Sequence, residues 1–275
     1  MMRVSHVGGI VILFLLFFFL SAGSVVADWH GGKALVLYKK GGDGWVQHNY
    51  KDDTILEKWK KFRDEFAKQG WTVDFAKHVN ASLLSNYDAL FVLTPVEDIP
   101  DDEAQAIIDW VKSGGQLVIT QNGTGTYANE ITAEFGIEFD GPLLLPIQTI
   151  NNFTSHPVTT TPYLLNKVVG VTARKIEVSG SSKEIGWFEV GPVKYCLLAV
   201  NDTAGEGVVV AIGDEWMWSN CCFNLVDDNK ELLDNILAYF RRTCSVPEFS
   251  TLTFLIPVFL LAVLFLFRRK GGVSG

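Results

Sequence analysis

Basic residues are scarce in this chain. Lys and Arg number 23 against 31 Asp and Glu, giving a net charge of -8 and an isoelectric point near 5.1. Ahead of the C-terminal tail the basic residues are mostly scattered. That excludes a nucleic-acid partner, whose binding relies on clustered Lys and Arg. Histidine is scarcer still, at five residues. His30, His48 and His78 lack metal-ligand spacing among themselves, and no metal or other cofactor is expected. Internal repeats and low-complexity linkers are missing too. Asp28 to about Thr243 therefore reads as a single domain, long enough to bury its own core.

A long uncharged run stands near each end. Residues 1–27 read as a signal peptide: Arg3 supplies the basic start, Val7 to Leu20 the apolar run, and Val25-Val26-Ala27 the small-residue cleavage site. Near the C-terminus, 250–267 carries no charge and is followed at once by Arg268, Arg269 and Lys270. An apolar run of about 18 residues closed by a basic cluster is long enough to cross the hydrocarbon core as a helix. The positive-inside rule keeps 268–275 in the cytoplasm and puts the domain on the extracytoplasmic side of a cell membrane. A short stalk, 244–249, joins domain to helix. Four Asn-x-Ser/Thr sequons, at Asn80, Asn122, Asn152 and Asn201, agree with export; if used, each sits on the surface.

Within the domain, apolar runs alternate with helical periodicity. Lys33–Tyr38 reads as a strand. Ile55, Trp59, Phe62 and Phe66 make one face of a helix over about 53–68. Trp71–Phe75 alternates as a second strand, and Tyr87–Thr94 is nearly continuous in apolar residues, as a strand buried on both faces is. Asp101, Asp102 and Glu103 open the next helix, where acids suit the dipole, and Gln116–Thr120 is the strand after it. Beyond Gly123 the pattern loosens: a short helix over Asn129–Phe135, an extended His156-Pro157-Val158, a β-like Val169–Val178. A hairpin then pairs Tyr195–Val200 with Gly207–Ile212 across the turn-rich 201–206, and a helix closes the domain over about 228–241. The fold class predicted is α/β: a doubly wound, mostly parallel, flavodoxin-like sheet with a C-terminal β-hairpin addition.

Ligands of open α/β sheets sit beyond the carboxyl ends of the strands. By that rule the candidate binding residues are Lys39, Thr94, Gln121, Asn122, Asp214, Glu215 and Trp216; as strand-end polar groups they also read as caps. Asp214, Glu215, Asp227 and Asp228 form an acidic group suited either to a cation or to a solvated loop and helix start. His156 reads as a base or as a turn histidine. Trp187, Phe188, Trp216 and Trp218 read as a sugar or peptide platform or as core. Of the cysteines, Cys244 is carried by the last helix, about 20 Å long, to the edge opposite Cys221 and Cys222. A disulfide from Cys196 to Cys221 or Cys222 is expected instead.

Tyr87-Asp-Ala-Leu-Phe-Val-Leu93, a helix, and then Val111-Lys-Ser-Gly-Gly-Gln-Leu-Val-Ile119 resemble the class I glutamine amidotransferase-like superfamily. Gly207–Asn220 with Asp228-Asn229 is similar to the closing strand and helix of its non-catalytic branch, which includes an uncharacterised prokaryotic family and intraflagellar-transport-type domains. That superfamily implies a nucleophilic Cys on the turn after Gln116–Thr120. Here the turn reads Thr120-Gln-Asn-Gly-Thr-Gly125, with neither Cys nor Ser, and Thr120 and Thr124 have no adjacent base. The resemblance thus implies a domain without amidotransferase catalysis. Val246-Pro247-Glu248-Phe249, the apolar run and the basic end together resemble the archaeal PEF-CTERM sorting signal, which implies an archaeosortase-type processing enzyme and a lipid anchor; an ordinary single-pass anchor is the other reading. The function expected is a cell-surface, non-catalytic binding or scaffold module. A hydrolase with an unrecognised site and a subunit of a membrane glycosylation-type complex are the alternatives, the latter on order of parts alone.

Overall fold

The computed structural model describes residues 32–37, 59–122, 125–144, 147–220 and 222–244. The signal peptide, the stalk, the apolar tail and Lys39 lie outside the described residues. Among the described residues no helix is long and apolar enough to cross a membrane.

The first half alternates strand and helix as its periodicity demands. It runs β1 (Lys33–Leu37), α1 (Lys60–Lys68), β2 (Thr72–Ala76), α2 (Ala81–Leu84), β3 (Ala89–Leu93), α3 (Asp101–Lys112) and β4 (Gln116–Thr120). β3 and β4 are buried along their whole length, which explains their unbroken apolar character. Three acids sit in the first turn of α3 and Lys112 in the last, both complementary to its dipole. Gly70 takes φ +74 directly after α1, a conformation that costs glycine little.

The second half comprises α4 (Asn129–Thr132) with a 3-10 turn to Phe135, β5 (Ile137–Leu144), β6 (Gln148–Ile150), β7 (Asn152–Phe153) and α5 (Pro157–Thr160). After these come β8 (Val168–Gly170), β9 (Ala173–Val178), β10 (Lys183–Val190), β11 (Val193–Ala204), β12 (Gly207–Ile212) and α6 (Asp227–Cys244). The main sheet has eight strands in the order β2-β1-β3-β4-β12-β11-β10-β7. β2, β1, β3, β4 and β12 pair in parallel; β11, β10 and β7 extend the sheet antiparallel. Two small sheets, β5-β9 and β6-β8, lie outside it. The large, mostly parallel sheet with an added hairpin is the architecture expected from the alternation.

Three local expectations are corrected. Of His156-Pro157-Val158 only His156 is extended: Pro157 opens α5, and the His156 ring accepts the Val158 N–H, so the helix start is capped. Val169–Val178 is not one strand: Val171 and Thr172 turn their N–H groups onto Asp214, which splits the run into β8 and β9 in different sheets. The hairpin turn is shorter than 201–206, because β11 continues to Ala204 and leaves Gly205, at φ +73, to make the reversal.

The core is aromatic where α1 meets the sheet. Phe62 stacks on Trp218 at 5.5 Å and meets Phe91 edge-on at 5.8 Å, and Phe66 meets Phe91 at 5.0 Å. Trp218 is fully buried and its Nε1 donates to the Asn229 carbonyl at 3.1 Å, so it belongs to the core and not to a surface platform. Two buried asparagines on α6 satisfy backbone that the sheet leaves over. Asn229 takes the Val169 N–H at 2.8 Å and donates to the Val169 and Cys222 carbonyls. Asn235 takes the Tyr163 N–H at 2.9 Å and donates to Val158 and Tyr163 carbonyls.

Candidate functional site

β3, β4 and β12 are neighbours, and each ends in a residue of one buried polar cluster. Thr94 follows β3, Gln121 and Asn122 follow β4, and Asp214 and Glu215 follow β12. Five of the seven predicted strand-end residues therefore come together at the carboxyl end of the parallel strands. Trp216 lies at the margin, half-buried, donating its backbone N–H to Asp214 Oδ1 at 2.9 Å.

Thr94 is the strained member. Its φ is +52, the left-handed region that a β-branched residue avoids. Its N–H donates to Thr120 Oγ1 at 3.0 Å, and the two hydroxyls share a 3.1 Å bond. Thr94 Oγ1 then donates to Glu215 Oε2 at 2.5 Å. The other oxygen, Glu215 Oε1, accepts from Asn122 Nδ2 at 2.8 Å. Gln121 closes the loops above: it accepts the Ala128 N–H at 3.0 Å and donates to the Pro95 and Asn122 carbonyls. Asp214 is committed to backbone, taking N–H groups from Val171, Thr172 and Trp216. Gly170 permits this approach: a Cβ there would lie 2.8 Å from Asp214 Oδ2.

Burial decides the electrostatics. Thr94, Thr120, Gln121, Asn122, Asp214 and Glu215 are all buried. Desolvation raises the Glu215 carboxyl to about 8, with the Asp214 charge pushing the same way. Desolvation raises Asp214 to about 6 against the pull of its backbone donors. Burial thus favours the protonated form of Glu215. Asp228 is used elsewhere, accepting the N–H groups of Asn166 and Lys167. Among the described residues no three His, Cys, Asp or Glu side chains are placed to hold a metal ion.

His156 serves the fold. Its Nδ1 accepts from Val158 and its Nε2 bonds Asp202 Oδ1 at 3.1 Å, which leaves neither ring nitrogen open as a base. Tyr239 and Lys183 also donate to Asp202, at 2.7 and 2.8 Å. The His156, Lys183 and Tyr239 donors hold the Asp202 carboxyl well below the usual range, while burial and then Asp202 push the Tyr239 hydroxyl up. His78 is likewise engaged, its Nδ1 lying 2.7 Å from Glu103.

The disulfide from Cys196 is not formed. Cys196 is a buried thiol whose Sγ bonds the Leu198 carbonyl of its own strand at 3.4 Å; burial pushes it up to about 12. Cys221 lies outside the described residues. Two sequons are also corrected. Asn122 is buried against Glu215. Asn201 is buried with its Nδ2 on the Phe135 carbonyl at 2.8 Å. Asn80 is exposed, its Oδ1 capping α2 through the Leu83 N–H at 2.9 Å; Asn152 is half-buried on β7 and donates to Asn151. Trp187 is half-buried with the Lys194 Nζ 3.9 Å over its ring, and Phe188 stacks on Tyr195 at 5.1 Å.

Sequence reasoning missed Thr120 as a ligand of the cluster and the tyrosine–aspartate–histidine array. The first was legible only as the last residue of a buried strand. The second had no local signal, since Asp202 and Tyr239 are 37 positions apart.

No protein-family model matches this sequence, and no curated protein matches it. Solved structures do resemble it. The mmIFT52 N-terminal domain is 12% identical with a TM-score of 0.61, over 76% of this chain and 96% of its own. Cytoplasmic protein STM1381 from Salmonella typhimurium LT2 is 17% identical with a TM-score of 0.54, over 76% and 99%. Cytoplasmic protein STM3548 from Salmonella typhimurium is 15% identical with a TM-score of 0.53, over 76% and 98%. At these identities the likeness establishes the α/β fold alone.

Proposed function

We propose that this chain is a non-catalytic α/β binding or scaffold module held at the outer surface of a cell membrane. One observation carries the reading. The strand-end position where the amidotransferase-like resemblance implies a nucleophile is filled by a closed network of Thr94, Thr120, Asn122 and Glu215, all buried and bonded to one another. A nucleophile needs an adjacent base and an open approach; Thr120, at the end of β4, has neither, because it is fully buried and its hydroxyl is bonded to the Thr94 N–H and hydroxyl. The finer parts of the reading rest on sequence: the non-catalytic amidotransferase-like branch on the strand motifs, and the membrane placement on the signal peptide, the apolar run and the sorting-like Val246–Phe249.

Purified full-length protein tests it. Serine- and cysteine-hydrolase probes are expected to label nothing, and isolation in mild detergent to retain a protein partner. Stoichiometric labelling of Thr94 would overturn the non-catalytic assignment. Intact mass of the mature protein from its native membrane reports the anchor: loss of 1–27 is expected, and an intact 268–275 would remove the sorting-signal reading.

A further inference from the structure

We infer that the amino-end edge of the main sheet is the face laid against the bilayer, and that anionic lipid headgroups are its partner. The inference rests on the membrane anchor proposed above.

Direction comes from α6. It starts beside the carboxyl ends of the strands, where Asn229 holds β8 and the Cys222 carbonyl. It finishes at the opposite edge: Gln116, first residue of β4, donates its Nε2 to the Phe240 carbonyl at 3.0 Å, and Arg241 reaches the Gln69 carbonyl after α1. α6 ends at Cys244 and the uncharged run begins at Ser250. The five residues between them span at most about 18 Å. A tether that short brings the edge where it leaves close to the membrane.

Charge agrees. At the amino-end edge stand Lys33, which opens β1, Lys68 and Lys112 in the last turns of α1 and α3, and Arg241 and Arg242 in the last turn of α6. Glu65, Asp88, Glu134 and Glu206 are the carboxylates there; Glu65 pairs with Lys68 and Glu134 with Lys112. The carboxyl-end edge carries exposed Glu97, Asp98, Asp101 and Asp102 after β3, with Lys60 and Lys61 opening α1. Helix dipoles favour this sorting in any case. Here it leaves an acidic chain with five basic side chains against four carboxylates at the edge where the tether emerges, and Lys or Arg near an anionic bilayer is attracted to it.

Apolar exposure is sorted the other way. β11 is paired with β12 only from Leu198 on, so the β10–β11 tip overhangs the carboxyl-end edge with Val190 and Val193 exposed. Exposed Leu225 precedes α6 at that same end. The proposed orientation holds these groups away from lipid.

Amine acylation of the full chain, read by peptide mass, tests the orientation. In phosphatidylglycerol-containing vesicles, Lys33, Lys68 and Lys112 are expected to react about fivefold more slowly than in detergent, and Lys194 on the overhang at an unchanged rate. Neutral phosphatidylcholine vesicles are expected to protect less; equal protection would overturn the part assigned to charge. If the protein floats with vesicles but Lys194 is protected, or all lysines react alike, the orientation is wrong while the anchor stands. If it does not float, the anchor reading fails and the orientation with it.

Discussion

Thr94 Oγ1 and Glu215 Oε2 lie 2.5 Å apart, joining residues 121 positions distant in sequence. The bond spans the ends of β3 and β12, which do not pair with each other because β4 runs between them. It therefore fastens the three strand ends as a unit, with a strained residue at one end and a protonated carboxyl at the other.

Stability should fall as pH rises from about 4.5 to about 8. Glu215 ionises near 4.5 when unfolded and near 8 in the fold, because burial penalises its charge. Within that window the folded state binds the proton more tightly, so its advantage is full below the unfolded value and is lost through the folded one. Asp214, raised by burial to about 6, adds a slope of the same sign in the lower part of the window, and Asp202, shifted the opposite way, acts only below it. Urea midpoints measured across the range check it, and Glu215→Gln is expected to flatten the slope. A slope unchanged in that variant would refute the assignment.

Thr94→Val should cost about 2–4 kcal/mol, since it keeps the left-handed backbone and removes the hydroxyl bonded to Thr120 and Glu215. Thr94→Gly loses the same bonds but relieves φ, so it should cost less. Equal losses in chemical denaturation would show that backbone strain is not a factor.

On the export proposed above, glycopeptide mapping should find sugar at Asn80 and none at Asn122 or Asn201. The last two are buried and bonded through Nδ2, the atom a glycan would occupy. A glycan at Asn122 would contradict the closed strand-end cluster directly.

Cys196 should resist alkylation in the native protein at pH 8 and react only as denaturant opens the fold. Its thiol is buried and held far from ionisation. Rapid native labelling, or its recovery in a disulfide, would place it elsewhere.

Much of the α/β frame was legible because the central parallel strands are buried on both faces and read as apolar runs: Ala89–Leu93, Gln116–Thr120 and Gly207–Ile212 stand at their expected places. The strand-end rule then found Thr94, Asn122 and Glu215 as neighbours. Their use was not legible. Polar types at strand ends suit a ligand as well as one another, and only burial separates the two. The antiparallel part was harder. β10 (Lys183–Val190) carries glycine and charge, and its place depends on a bulge near Gly186. The buried Asn229 and Asn235 look like surface residues in sequence; their role comes from loops that pass over α6.

At the far edge of the sheet, β7 is only two residues long, yet it does more than its length suggests. It pairs with β10 at Gly186 and Trp187. The segment around it takes the Trp187 carbonyl with the Asn151 N–H, the Ile185 carbonyl with the Thr154 N–H, and the Glu184 carbonyl with the Thr154 hydroxyl. Few of the backbone acceptors of β10 are left to template a strand from another molecule. On the membrane placement proposed above, copies of the protein would meet often, and this seam would keep such encounters from extending the sheet at β10.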